Sequence, residues 1–428
     1  MSTAVRLIIA QLSAAMVLSL LNVLVLRRIT SAFRLSLRGR RIVVAVLLVP
    51  FVGTLVFRGL GAHVPIGYGE SVAVASSAAE LGVFFAASFF GAGMLVSTGA
   101  RRIRAWRARS SPAATGETNP VADAPPDEAA AVAALPVGER PALFPPNDGI
   151  PRRAFVEQAA ASSVLLASGG SAAYGALFGR HDYELSTVPV PIPGLSKAAD
   201  GFTIVQLSDI HLGQMVGESE MRAAEELVRR AKGDLIVLTG DLIDHDVRYT
   251  DRLGRLVRRL SEIRPVVAIP GNHDYYTGID HVLATVRGAG ATMLVNQASI
   301  ILGERDGFVL AGLDDPWGGE QEDRAVPDLA AALAGVRSEA PRIVLCHNPK
   351  VFRDTAGQVA LQISGHTHGG QVNLGVRPAD LVLRHGYVAG LYKTNGSHIY
   401  VNRGFGTAGP AARVGAPPEV SRIVLVAG

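Results

Sequence analysis

Five short polar clusters, four of them directly after brief apolar runs, restrict the second half of this chain to a parallel α/β fold. They are Asp209-Ile210-His211, Gly240-Asp241, Gly271-Asn272-His273-Asp274, His347 and Gly365-His366-Thr367-His368. The runs at 202–207, 235–238, 266–269, 342–346 and 361–363 are too short for helices and read as buried strands. Helical patterns at 218–232 and 251–263 separate the first three. Strand, helix, strand, with a polar cluster at each strand end, describes a parallel sheet carrying its functional loops at the carboxyl edge. The later strands are expected to form a second sheet packed on the first, and the Pro-rich stretch 188–193 is expected to be only an approach to the domain.

The residue types point to metal chemistry. Carboxylate oxygen and imidazole nitrogen suit divalent Mn, Fe or Zn, and no thiolate is present to build a zinc finger. The single cysteine, Cys346, also excludes an intramolecular disulfide. Taken alone, each cluster has an ordinary explanation: a helix cap at Gly240-Asp241, a hydrogen-bonded loop at Asn272-His273-Asp274, a structural histidine at His347. Together they gather five of the eleven histidines at strand ends. That combination predicts a site for two metal ions, with one carboxylate able to bridge them. Glycines 240, 271, 365, 369 and 370 would allow close backbone approach around it.

With these motifs in view, residues 201–428 resemble the calcineurin-like metallophosphoesterases. They are most similar to a bacterial branch with an amino-terminal membrane region or twin-arginine signal. The resemblance implies a four-layer α/β/β/α sandwich. It implies that Asp209, His211 and His368 bind one divalent ion, that Asn272, His347 and His366 bind a second, and that Asp241 bridges them. Water activated between the ions would attack phosphorus, His273 would act as general acid or electrostatic partner, and Asp274 would orient His273. The implied substrate is a phosphodiester or phosphomonoester. Gln371–Tyr392, Tyr275-Tyr276 and the loop 312–319 are candidate specificity segments; Trp317 and the tyrosines either stack on a substrate or belong to the local core.

The first 200 residues differ in character. Apolar runs at 7–26, 42–60 and 72–98 approach or exceed the roughly 20 residues that span a bilayer. Arginines at 27, 28, 34, 38, 40 and 41, between the first two runs, and at 101, 102, 104, 107 and 109, after the third, place those two segments on the cytoplasmic side. Residues 101–151 read as a basic segment followed by a disordered Pro/Ala/acidic linker. A fourth apolar stretch, 152–180, opens on Arg152-Arg153. It reads equally as a twin-arginine signal, with a weak cleavage site at Ser171-Ala172-Ala173, or as a fourth span. Both readings put the domain at 200–428 outside the cytoplasm. Residues 201–428 carry 23 basic and 25 acidic residues, a formal −2, leaving 18 basic against 12 acidic for the first 200. Such a balance disfavours nucleic acid as a partner, and with it a nuclease. The expected partner is instead an envelope phosphoester, a membrane lipid or a nucleotide-linked sugar. Two other classes compete: a non-catalytic envelope-binding or sensory protein that keeps the metal site, and a transporter, which spans almost free of charge argue against.

Overall fold

The computed structural model describes residues 3–60, 68–110, 150–244, 246–321, 326–336 and 339–428. Four long helices come first: α1 (Thr3–Phe33), α2 (Leu37–Leu60), α3 (Tyr68–Ser110) and α4 (Arg152–Leu177). Among the described residues, stretches 15–33, 74–106 and 152–181 are long and apolar enough to cross a membrane. A helix suits such a sequence because it satisfies every backbone polar group internally. The arginine-rich segment after residue 100 continues α3 to Ser110 rather than starting the linker. The remainder of that linker, 111–149, lies outside the described residues. Small residues let α3 and α4 approach closely: a Cβ on Gly82 would lie 3.7 Å from Ala172 Cβ and 3.8 Å from Gly169 Cα. Among the described residues, the acidic Glu80 of α3 is buried in the bundle, and its carboxylate accepts from Asn22 Nδ2 at 3.3 Å.

Beyond the helices lie two six-stranded sheets. The first takes β1 (Glu184–Ile192), β2 (Thr203–Leu207), β3 (Leu235–Thr239), β4 (Val266–Ile269), β5 (Thr292–Met293) and β12 (Glu419–Ala427), in the order β1-β12-β2-β3-β4-β5. The second takes β6 (Gln297–Ile301), β7 (Phe308–Gly312), β8 (Arg342–Leu345), β9 (Leu361–Ser364), β10 (Gly390–Thr394) and β11 (Ser397–Val401), in the order β10-β11-β9-β8-β7-β6. Strands β2, β3, β4 and β5 run parallel to one another, as do β7, β8 and β9.

Alternation along the strands builds the layers. Ile204, Val237 and Ile269 turn inward and meet Leu310, Leu345 and Ile363 of the opposite sheet. Val205, Ile236 and Leu238 turn outward under the helices α5 (Glu218–Ala231), α6 (Thr250–Ser261) and α8 (Ile279–Gly288). On α6 the buried residues Leu253, Leu256, Val257 and Leu260 recur at helical spacing, so one face packs and the arginine-rich face is left outward. Val344 and Ala311 cover the far side of the second sheet with Ala332 and Val351. The result is a mixed α/β domain of two packed six-stranded sheets behind apolar amino-terminal helices.

The stretch 188–193 corrects its expected role. It forms most of β1, an edge strand paired in parallel with β12. Pro189 and Pro191 sit two apart, so both missing N–H groups fall on one side of the strand, and an edge tolerates that.

Candidate metal centre

The five clusters converge because β2, β3 and β4 of one sheet and β8 and β9 of the other end at the same rim. Each chain turns sharply on leaving its strand. Asp209 (φ 51°), His211 (49°), Asp241 (52°), His366 (74°) and His368 (51°) all adopt left-handed backbone, which costs a non-glycine residue about 1–2 kcal/mol. Five such residues in one place mark strain held in service of side-chain direction. The glycines beside them admit the approach. A Cβ on Gly365 would lie 2.1 Å from Ser208 Oγ and 2.2 Å from Asp209 Oδ2, and one on Gly271 would lie 2.3 Å from Asp241 N.

Two groups of donor atoms result. His211 Nε2 and His368 Nε2 face each other at 3.0 Å, with Asp209 Oδ1 3.5 Å from the latter. His347 Nε2 and His366 Nδ1 lie 3.2 Å apart, with Asp241 Oδ2 3.2 Å from His347 Nε2. The same Asp241 oxygen is 3.6 Å from His211 Nε2, so this carboxylate stands between the groups. Asn272 keeps a buried Oδ1 with no hydrogen-bond partner, while its Nδ2 donates to Tyr276 Oη at 3.2 Å. The ligand atoms of Asp209, His211 and His368, and those of Asp241, His347 and His366, are close enough to share a metal ion. Facing ring nitrogens cannot both donate to each other, and an orphaned amide oxygen is costly to bury. Divalent cations fit this donor set.

Surrounding bonds fix the donors. His347 Nδ1 donates to Thr239 O at 2.8 Å, which turns the Nε2 edge of the ring into the group. Asp209 accepts from Ser208 Oγ at 2.6 Å and from the His366 N–H at 2.8 Å. Burial alone would raise the Asp241 carboxyl, but the His347 and His273 imidazoles beside it hold it well below the usual range. Burial, reinforced by the His347 charge, pushes His366 down to about 3 and so keeps it in the neutral form that ligates.

His273 lies at the edge of this cluster. Its backbone N–H donates to Asp241 Oδ1 at 2.8 Å, and its Nδ1 meets Asp244 Oδ1 at 2.8 Å. Burial would lower its pKa, but the Asp241 charge and the bond and charge of Asp244 outweigh that and raise it to about 8. Asp274, expected to orient His273, holds backbone groups of the neighbouring loops. Asp274 is the third residue of the short helix α7 (Asn272–Thr277), and its carboxylate reaches back to the N–H groups of Gly271 (2.8 Å), Leu242 (2.9 Å) and Ile243 (3.3 Å). Burial and the Asp241 charge raise Asp274 to about 7. Asp244, three residues after Asp241, was missed by motif reasoning; its only sequence signal is an acidic residue in the same loop.

Arg413 was missed as well. Fully buried, it donates to the carbonyls of Arg403, Gly404, Gly406 and Ala416, and its Nη2 lies 3.1 Å from His368 Nδ1. Trp317 meets Tyr276 edge-on at 4.7 Å, and Tyr276 in turn lies 4.9 Å from the His273 ring.

A sequence model of the calcineurin-like phosphoesterases matches residues 202–370. The chain is 31% identical over 283 residues to the uncharacterized metallophosphoesterase YkuE of Bacillus subtilis, covering 64% of this chain and 97% of that protein. It belongs to the calcineurin-like phosphoesterase family. Within the family it is 35% identical over 234 residues to the phosphodiesterase YaeI of Escherichia coli, covering 53% of this chain and 82% of YaeI. A third relative, the transmembrane protein with metallophosphoesterase domain of Danio rerio, is 31% identical over 279 residues, covering 61% of this chain and 62% of that one. The residues matched by the family model carry every donor of the two groups, so the phosphoesterase domain and the candidate centre coincide.

Proposed function

We propose that this protein is a membrane-tethered, metal-dependent phosphoric ester hydrolase that prefers diesters, with its catalytic domain on the extracytoplasmic side. The observation that carries the proposal is the convergence of six donor residues from four strand ends on two groups, with Asp241 standing between them. Asp209, His211 and His368 would hold one divalent ion, Asn272, His347 and His366 the other, and Asp241 both. Bound there, such ions supply Lewis acidity and lower the pKa of water towards neutrality.

The protein's own groups do the rest. Asp241 fixes the backbone of His273 through its N–H, and Asp244 fixes the ring through Nδ1, so a proton for the leaving oxygen would be carried at His273 Nε2. Asp274 ties the loop after β3 to the turn after β4, which keeps Asp241 and Asn272 in register. Resemblance to YaeI supports diesters, and resemblance to a transmembrane relative supports tethering. The fourth apolar stretch is α4, an unbroken helix that packs on α3, which favours a retained span over a cleaved signal. Envelope phosphoesters, whether lipid-linked or nucleotide-linked, are the substrates this placement suits.

Full-length protein in detergent, reconstituted with Mn²⁺, should cleave a chromogenic phosphodiester faster than its monoester, and chelator should abolish both rates. His273→Ala should keep its metal and lose about 10²–10⁴-fold in turnover. Undiminished turnover by that variant would remove His273 from the reaction.

A further inference from the structure

The segment 371–392 leaves the candidate centre immediately after His368 and returns to it. At its start Gln371 and Asn373 are zipped to Val414 (Val414 N to Gln371 O 2.9 Å, Asn373 N to Val414 O 2.7 Å). At its end the Val388 carbonyl accepts from Thr367 Oγ1 at 2.5 Å, between the two histidines of the last cluster. In the middle, a Cβ on Gly370 would lie 3.2 Å from both Ala379 Cβ and Arg377 Cγ. The loop is therefore held against the site along its length.

Its outer surface does not suit water. Val376, Leu381 and Val382 are 72%, 90% and 73% exposed. A short segment seldom leaves three large aliphatic side chains so open unless a partner covers them. The same segment continues an apolar contact with the helix bundle. Val372 and Leu374 pack into one cluster with Leu81 and Phe85 of α3 and with Ala172 and Ala176 of α4. Leu81 and Phe85 lie inside the apolar run of α3 that begins at Val74. The base of the loop thus sits at the depth where α3 is already apolar, and Val376, Leu381 and Val382 extend that surface sideways. Charge agrees: residues 374–393 carry Arg377, Arg384 and Lys393 against Asp380 alone, a balance that suits anionic headgroups.

We infer that residues 374–391 form a lip that rests in the interface of the bilayer and holds the candidate centre at the level of lipid headgroup phosphates. The inference depends on α3 and α4 spanning the membrane. It narrows the substrate class to phosphoesters that remain seated in the lipid surface, reached without leaving it.

The sole cysteine, Cys346, is buried, so a cysteine introduced at the surface labels alone. Leu381→Cys, Phe89→Cys and Leu302→Cys are each coupled to an environment-sensitive fluorophore in the full chain. The proteins are then reconstituted in phosphatidylethanolamine/phosphatidylglycerol vesicles containing acyl-chain quenchers at shallow or deep positions. Phe89 lies midway along the apolar run of α3, and Leu302 follows β6 at the end of the second sheet opposite the site. The lip requires Leu381→Cys to be quenched at least threefold more than Leu302→Cys, and more by the shallow quencher than by the deep one. Quenching at 89 with 381 no different from 302 would overturn the lip while leaving the spanning helices intact. Absence of quenching at 89 as well would overturn the spanning reading and the lip with it.

Discussion

A side chain on a helix does not face its immediate neighbour, because successive residues are rotated by about 100°. Asp274 follows His273 directly, so its carboxylate turns back to cap the helix, and His273 is met instead by Asp244 from the loop after β3. Motif order shows which residues gather but not which way they point, and Asp244 stayed invisible for that reason. Asp244→Asn should retain bound metal and lower kcat about 10–100-fold, the usual cost of losing a partner that orients a catalytic group. Activity within twofold of wild type would show that His273 needs no such support. The Asp and His residues that gather in the two groups were legible because their chemistry is local, each cluster standing at the end of a short apolar run. Asp209, His211, Asp241, His366 and His368 add what no pattern displays, a left-handed backbone at each position.

At the scale of elements, periodicity was enough for β2, β3, β4, α5 and α6, whose buried faces are regular. It failed at β1, where alternating prolines disguise an edge strand, and at β12, which inserts between β1 and β2 from the far end of the chain. That closure is reinforced by Glu419 at the start of β12. Burial would raise its carboxyl, but the Arg403 charge and hydrogen bonds from Tyr400 Oη (2.5 Å) and the Arg403 N–H (3.0 Å) hold it below the usual range. A carboxyl with a folded pKa below its unfolded value of about 4.3 stabilises the fold above that value. The contribution is lost as the pH falls through the folded value. Glu419→Gln should therefore lower the thermal midpoint at pH 7, by a loss of about 1–3 kcal/mol. Its deficit relative to wild type should shrink as the pH drops below about 4. A deficit independent of pH would assign Glu419 a packing role only.

Over the whole molecule, the decisive contact joins parts far apart in sequence. The end of α4 is seated directly on the loop that backs the candidate centre: Arg413 N donates to Gly175 O at 3.0 Å, and a Cβ on Gly179 would lie 2.1 Å from Arg413 O. The same Arg413 reaches His368, so bundle and centre share one buried residue. Charge counts and hydropathy divide this chain at about residue 200 and give no sign that the two parts interlock. Gly179→Val should wedge the junction apart at a cost of about 1–3 kcal/mol and expose Arg180 to trypsin. An unchanged digestion pattern would mean that the helices only tether the domain.

The central claim is that seven residues build one centre for two metal ions around Asp241. Metal content per chain, measured by elemental analysis on purified full-length wild type and Asp241→Asn beside their diesterase rates, tests it most directly. The account predicts two equivalents and turnover for wild type, and fewer than two with activity lost for the variant. Two equivalents and an undiminished rate in Asp241→Asn would contradict it.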